Sequence, residues 1–470
     1  MDKRLNKKIK CSSESNIFYK AVWRWHFYAG LLVTPFLWIL AITGMAMMFL
    51  GYINGRDGER ITVHVPAQAV TKSLLEQSNI VLDSHPGSSL LEWIKAPENN
   101  RVNVFRIKEK SGQQLMIAIN PYTGNIESDW LRRQGWYDLA DNIHSDLLLG
   151  KSGDIILEIS AGFGIVLLIS GLYLLWPRNR NIRLSLIPNL SLKGHEFWKE
   201  LHATLGVYLW AFFLLFLLSG MSWTGIWGGK IVQAWSTFPA QKWDKIPLSN
   251  KTHASLNYSS SEGMPWAIEQ TLLPASGSKE GTTGTLKGEN VTIDSIERLA
   301  QRIGFDGRYR ISFPKGEQGV WTINQDTMNA DSSNPFVDKT VHVDRYTGRV
   351  LAKVSFDDYS IAGKVMAVSI PLHMGLVTVW NLIINTIICL GIMILSMTGV
   401  IMWWKRRPSN SGFRLCAPSA PTRLPHWKNA MLVMLAVSLL FPLVGVTLVA
   451  ILLLDTLLLS RVLILKRFFS

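Results

Sequence analysis

Four stretches of this chain are too long and too apolar to end inside a water-soluble core. They lie at about 21–50, 155–176, 203–227 and 376–404, and each clears the roughly 20 residues a helix needs to cross a bilayer. Hydrocarbon offers the backbone no outside hydrogen-bond partners, so segments of this kind are expected as helices. A fifth apolar run covers about 429–453, and apolar sequence continues past Asp455 to Leu465. The first block follows MDKRLNKKIK, as a secretory signal would. It is about twice the usual apolar length for one, and no small-residue cleavage pattern follows, so it is predicted to be a retained helix. The chain reads as a polytopic α-helical membrane protein.

The net charge of +14 is distributed as a topology signal. Lys3, Arg4, Lys7, Lys8, Lys10 and Lys20 precede the first block. Arg178, Arg180, Arg183 and Lys193 separate the second from the third, and Lys405, Arg406, Arg407, Arg414 and Arg423 follow the fourth. The two long intervening segments, about 51–138 and 228–360, hold most of the acids. The positive-inside rule then places the N-terminus and the short basic connections in the cytoplasm and the long segments outside. With the basic residues so explained, nucleic acid is not an expected partner; the lipid bilayer is. Cys11, Cys389 and Cys416 all fall outside the exported segments, so ordinary cores rather than disulfides are expected to hold those segments.

The plan occurs twice. "IAINPYTGNIES" (117–128) and "VHVDRYTGRVLA" (341–352) each run a strand into Asn or Asp, a Tyr-Thr-Gly turn and a second strand, which predicts two β-hairpins. "TIDSIERLAQRIG" (292–304) carries helical apolar spacing. Each exported segment is therefore expected as an α+β module, giving an internal duplication of helix–module–helix with parallel repeats. The expected boundaries are a basic tail (1–20), the first span (21–50), module 1 (51–138), and a His-bearing segment with the second span (139–177). A cytoplasmic loop (178–195), the third span (196–227) and module 2 (228–360) follow. The chain closes with a second His-bearing segment and span (361–404), a basic loop (405–428) and C-terminal apolar helices (429–470). Residues 250–290, rich in Ser, Gly, Thr and Lys, are expected to be a flexible insertion.

Imidazoles recur at fixed places in this plan. His26 and His202 each precede a Gly by four residues and a Thr/Ser-Gly-Met by about a membrane's width; His26 to Gly44 and His202 to Gly220 are both eighteen positions. His144 lies 27 residues before Gly171, and His373 lies 26 before Gly399. With alternating helix directions, His26 and His202 fall at the cytoplasmic level and His144 and His373 at the exported level. An ionisable group in a membrane helix reads as functional, and two neutral imidazoles at one depth suit the two axial positions of a haem iron. Gly30 and Gly206, one turn along the same face, would admit a flat macrocycle, and Trp23, Trp25, Phe27, Tyr28, Tyr208 and Trp210 would line it. A single interfacial His is also an ordinary anchor, and Gly at this spacing is also plain helix packing. The other six histidines, His64, His85, His195, His253, His342 and His426, lack a repeat counterpart and are taken as solvated, His195 being a weak alternate ligand. Glu158 and Asp455 are intramembrane acids that either relay protons or bond a neighbour.

The duplicated H-x3-G-x12-[ST]-G-M helices, the Tyr-Thr-Gly hairpins, "IHSDLLLG" and "PLHMG" together resemble the PepSY-associated transmembrane family over about residues 17–407. That resemblance implies PepSY-like modules in a bacterial inner-membrane protein of the iron-regulated ferric-siderophore reductase kind. It implies haem b, two groups, held by His26, His202, His144 and His373, with electrons passed to a periplasmic ferric siderophore. No G-x-G-x-x-G follows a strand, so a separate donor, a quinol or a cytoplasmic reductase, is expected. The competing expectation is a non-enzymatic membrane scaffold whose modules bind a partner and whose histidines are structural. The 31 residues from His373 to Trp404 exceed one bilayer core if all helical, which predicts a break near Gly375 or a haem above the hydrocarbon.

Overall fold

A computed structural model describes residues 3–55, 57–68, 70–132, 134–176, 187–232, 245–257, 264–408, 414–418 and 428–454. The chain divides into a helical unit (1–43, 143–228 and 386–470) and a sheet unit (44–142 and 229–385). Its helices are α1 (Lys3–Asn54), α2 (Leu74–Ser84), α3 (Trp136–Asp146), α4 (Lys151–Leu175), α5 (Gly194–Met221), α6 (Ile293–Arg302), α7 (Ile361–Met374), α8 (Val379–Arg406), α9 (Lys428–Leu440) and α10 (Pro442–Leu454).

The helical unit is built mainly on long apolar helices. Ile17–Asn54 of α1, and α4, α5 and α8 entire, are long and apolar enough to cross a membrane. Their mutual core is Val33, Leu37, Phe163, Leu168, Leu209, Phe213, Leu217, Ile388 and Ile392, joined by Phe441 and Val444 from the C-terminal helices. Among the described residues the fifth apolar block divides at Phe441 into two helices, Lys428–Leu440 and Pro442–Leu454, because Pro442 has no N–H to continue α9. Asp455 lies outside the described residues, as does His426.

The sheet unit corrects the picture of separate modules. Module 1 supplies β1 (Ser89–Ile94), β2 (Asn103–Lys108), β3 (Gln114–Ile119) and β4 (Ile126–Leu131). A two-stranded hairpin, β5 (Leu248–Thr252) with β6 (Leu272–Pro274), precedes β7 (Arg310–Ser312), β8 (Val320–Gln325), β9 (Lys339–Asp344) and β10 (Val350–Ser355). All eight strands other than β5 and β6 form one antiparallel sheet in the order β10-β9-β8-β7-β1-β2-β3-β4. The seam is β1 against β7, with Trp93 opposite Ile311. Pairing the two first strands leaves neither module with an open edge at its centre.

One face of the sheet and both helices share a core: Leu74 and Val81 of α2, Ile296 and Leu299 of α6, and Trp93, Phe105, Ile117, Ile311 and Val341 of the sheet. The Asp294 carboxylate of α6 accepts from the backbone N–H groups of Leu74 and Leu75 at 2.7 and 3.1 Å. It thereby caps the neighbouring helix's N-terminus. Both predicted hairpins are present, β3–β4 and β9–β10. In each the polar residue before the turn accepts two backbone N–H bonds: Asn120 from Tyr122 and Thr123, Asp344 from Tyr346 and Thr347. Gly124 and Gly348 then take the positive φ that the turn demands, 79° and 66°.

The segment expected to be a flexible insertion contains β5, β6 and a 3₁₀ turn at His253–Leu256. Its polar composition conceals Leu256, Met264, Ala267, Ile268 and Leu273, which pack on Val354, Phe356 and Tyr359. Two histidines taken as solvated are also corrected here. His253 and His342 are fully buried, with their Nε2 atoms 2.8 Å apart. His253 Nδ1 lies 2.8 Å from the Thr271 carbonyl, which can only accept. In neutral His253, Nε2 must then accept from His342 Nε2–H, and His342 Nδ1 accepts from the Thr322 hydroxyl at 3.0 Å.

Burial lowers the His253 pKa to about 4, and burial together with His253 holds His342 well below the ordinary imidazole value. The unfolded chain, titrating near 6.5, binds more protons than the native one between about 4 and 6.5. The pair's contribution to stability is therefore complete above about pH 6.5 and is lost as pH falls toward 4. Thermal unfolding of the solubilised protein should show a midpoint that falls across this window. A His342→Gln variant should show a shallower fall, and an unchanged slope would contradict the assignment.

Candidate functional site

His26 lies on α1 and His202 on α5, both in the helical unit, and the structure brings them together. Their ring centroids are 6.3 Å apart with planes at 87°. What sets this geometry is the other nitrogen of each ring. His26 Nδ1 is 2.8 Å from Ser170 Oγ on α4. The Ser170 hydroxyl spends its one proton on the Val166 carbonyl, 2.6 Å away, so toward His26 it can only accept. His202 Nδ1 is 2.8 Å from Thr398 Oγ1 and 3.1 Å from the Leu395 carbonyl on α8. Thr398 likewise donates to Leu395 O at 2.6 Å. In both rings Nδ1 is therefore the protonated nitrogen and Nε2 carries the lone pair.

The residue after each hydroxyl is a glycine beside an imidazole: a β-carbon at Gly171 would stand 3.4 Å from His26 Cε1, and one at Gly399 3.5 Å from His202 Cε1, both ordinary van der Waals contacts. A β-carbon at Gly30 would lie 3.7 Å from Leu167 and one at Gly206 4.0 Å from Leu395.

His144 sits in the last turn of α3 and uses the same device. Its Nδ1 is 2.9 Å from Thr43 Oγ1 on α1, and Thr43 donates to the Ile39 carbonyl at 2.6 Å. One helix thus carries His26 and, seventeen residues on and about 25 Å along its axis, the anchor of His144. Between them the Trp38 indole donates to Ser396 Oγ at 2.7 Å. His373 belongs to the sheet unit. It ends α7 just before Gly375, whose φ is 73°, and α8 begins at Val379, so the predicted break near Gly375 is present. Asn385 Nδ2 donates to the carbonyls of Leu372 and His373 at 2.7 and 3.0 Å, which satisfies the end of α7. A matching break separates His144 from α4, with Leu147 and Leu148 at φ 56° and 60°.

Sequence reasoning missed the hydroxyls. Thr43, Ser170 and Thr398 each precede a glycine near the end of a membrane helix, and Ser219-Gly220 is the fourth such pair. That recurrence was the available signal. Glu158 resolves in favour of bonding a neighbour: its Oε2 accepts from the N–H groups of Ile226 and Trp227, both at 3.2 Å. Asp154 accepts from Gly225 N at 3.0 Å, so two acids of α4 pin the chain that leaves α5. The His195 side chain is 41% exposed and lies 3.6 Å from Glu196.

Chemically, two crossed imidazoles presenting Nε2 lone pairs can bind one metal from opposite sides. Two metal–nitrogen bonds of about 2 Å, each followed by roughly 1 Å to the ring centre, span about 6 Å, in keeping with the observed 6.3 Å. Among the described residues no group of three or more His, Cys, Asp or Glu is arranged to hold a metal.

Removing either hydroxyl should cost a similar amount, because His26 keeps the Leu167 carbonyl as His202 keeps that of Leu395. Ser170→Ala and Thr398→Ala should each destabilise the solubilised protein by about 0.5–1.5 kcal/mol, and Ser170→Thr by little. Thermal unfolding of the three variants checks this, and a Ser170→Ala midpoint equal to that of the wild type would contradict it.

Comparison with family models matches residues 23–406 to the PepSY-associated TM region. No curated protein matches the chain.

Proposed function

The chain belongs to the PepSY-associated TM region family, and on that premise we propose that it is a haem-dependent membrane reductase for a ferric siderophore. The observation that carries the proposal is the pair His26 and His202, crossed at 6.3 Å with each Nδ1 engaged by a helix hydroxyl. A haem b held by these two residues would supply a one-electron redox centre. His144 and His373 are assigned to a second haem at the other level.

Ser170, Thr398 and Thr43 hold the imidazole orientation and tautomer, the outer-sphere role that metal-bound histidines require. Gly171 and Gly399 clear the ring space, and Gly30 and Gly206 clear the approach. The apolar helices exclude water from the path. Fe(III) is bound by the hard oxygen donors of siderophores more tightly than Fe(II), so one-electron reduction of the chelate releases iron. The electron is taken from a quinol or a cytoplasmic reductase. The proposed location is the bacterial inner membrane, with the basic N-terminus inside and the sheet unit in the periplasm.

Visible spectroscopy of the purified protein tests this reading. It predicts a Soret band, with α and β bands that sharpen on dithionite reduction, and two haems per chain. His26→Ala and His202→Ala should each remove the same haem, and His144→Ala and His373→Ala the other. A colourless preparation, or two haems retained in all four variants, would favour a scaffold instead.

A further inference from the structure

Within the sheet unit a cavity of about 20 Å³ lies where the β8–β9 connection meets α7, room for one or two water-sized occupants. Asp326, Thr327, Asp338 and Tyr359 contribute to its wall, and Gly363, Ala367 and Ile370 of α7 close it. Asp326 and Asp338 are 0% and 3% exposed. Asp326 Oδ1 accepts from Asn329 N at 2.7 Å, and its Oδ2 accepts from the amides of Asn329 and Asn324. Asp338 Oδ1 accepts one bond, from Thr327 N at 3.1 Å. Neither carboxylate has an ion-pair partner among the described residues: the guanidinium groups of Arg308 and Arg310 pair with Asp57, Glu59, Glu92 and Asp331 instead.

The independent observation is Tyr359. It is 5% exposed, and its hydroxyl has no hydrogen-bond partner among the described residues. A buried orphan hydroxyl costs about 1–3 kcal/mol. This one lies in the field of Asp338 and then Asp326, which add to burial in raising its pKa. Burial, and then Asp326, raise Asp338 to about 9; a charge of opposite sign beside it would neutralise it as a proton does.

We infer that this cavity is a site for one hard, calcium-class cation, bound by the carboxylates of Asp326 and Asp338 and the phenolic oxygen of Tyr359. All three donors are oxygens, the preference of calcium, and a cavity of this size admits the ion with few of its waters. The ion would tie the β8–β9 connection to α7, the helix that carries His373 in its last turn. The inference is independent of the haem assignment.

Thermal unfolding of the full-length solubilised protein tests it, after chelator treatment and during titration with CaCl2 at pH 8. The expected result is a saturable rise in midpoint. Tyr359→Phe, which removes a single oxygen, should raise the half-saturating calcium concentration about tenfold. Asp338→Asn should abolish the response. A wild-type midpoint that does not move would overturn the site, as would a Tyr359→Phe titration that superimposes on the wild type. Should Asp338→Asn fail to fold, Tyr359→Phe decides the matter.

Discussion

The helical unit depends on a hydrogen bond between an imidazole Nδ1–H and a helix hydroxyl that has already spent its own proton. An unpartnered ring nitrogen in hydrocarbon is costly, and a free hydroxyl there is too. In the Ser170, Thr398 and Thr43 arrangements each group satisfies the other, with the helix carbonyl completing the chain. The consequence is chemical as well as structural. With Nδ1 committed to the protein, Nε2 is the only basic nitrogen each of these rings can offer. The helices therefore fix which nitrogen each ring presents.

Much of this was legible in the residues. Apolar length alone located the four long helices, and matched intervals singled out His26 and His202. The Asn/Asp-x-Tyr-Thr-Gly turns showed where both hairpins close. Other features were not legible. The seam between β1 and β7 joins residues more than two hundred positions apart through short strands, and no local periodicity announces which edges will pair. The 250–290 segment looked unstructured because its few apolar residues are scattered among Ser, Gly and Lys. They find partners on β10, the turn after it and α7. His253 and His342 looked solvated because each is alone in its own stretch; their hydrogen bond spans 89 residues.

The sheet unit carries its polar interior in a different manner. Arg308 and Arg310 both reach Asp57 Oδ2, at 2.5 and 2.8 Å, and Arg310 Nε reaches Asp331 at 3.1 Å. Arg310 also lies 3.7 Å from Glu92, itself 3.2 Å from Arg106. Such buried pairs contribute little net stability. Their geometric effect is to tie the strands of both modules to the chain just after α1, so the seam is specified by charge as well as by the apolar core on the opposite face.

The central claim, that the crossed rings of His26 and His202 are iron ligands, is tested most directly by low-temperature electron paramagnetic resonance of the oxidised protein. Near-perpendicular imidazole planes should give a highly anisotropic low-spin ferric signal that disappears in His202→Ala. A purely high-spin spectrum, or a low-spin signal that survives that substitution unchanged, would contradict the account.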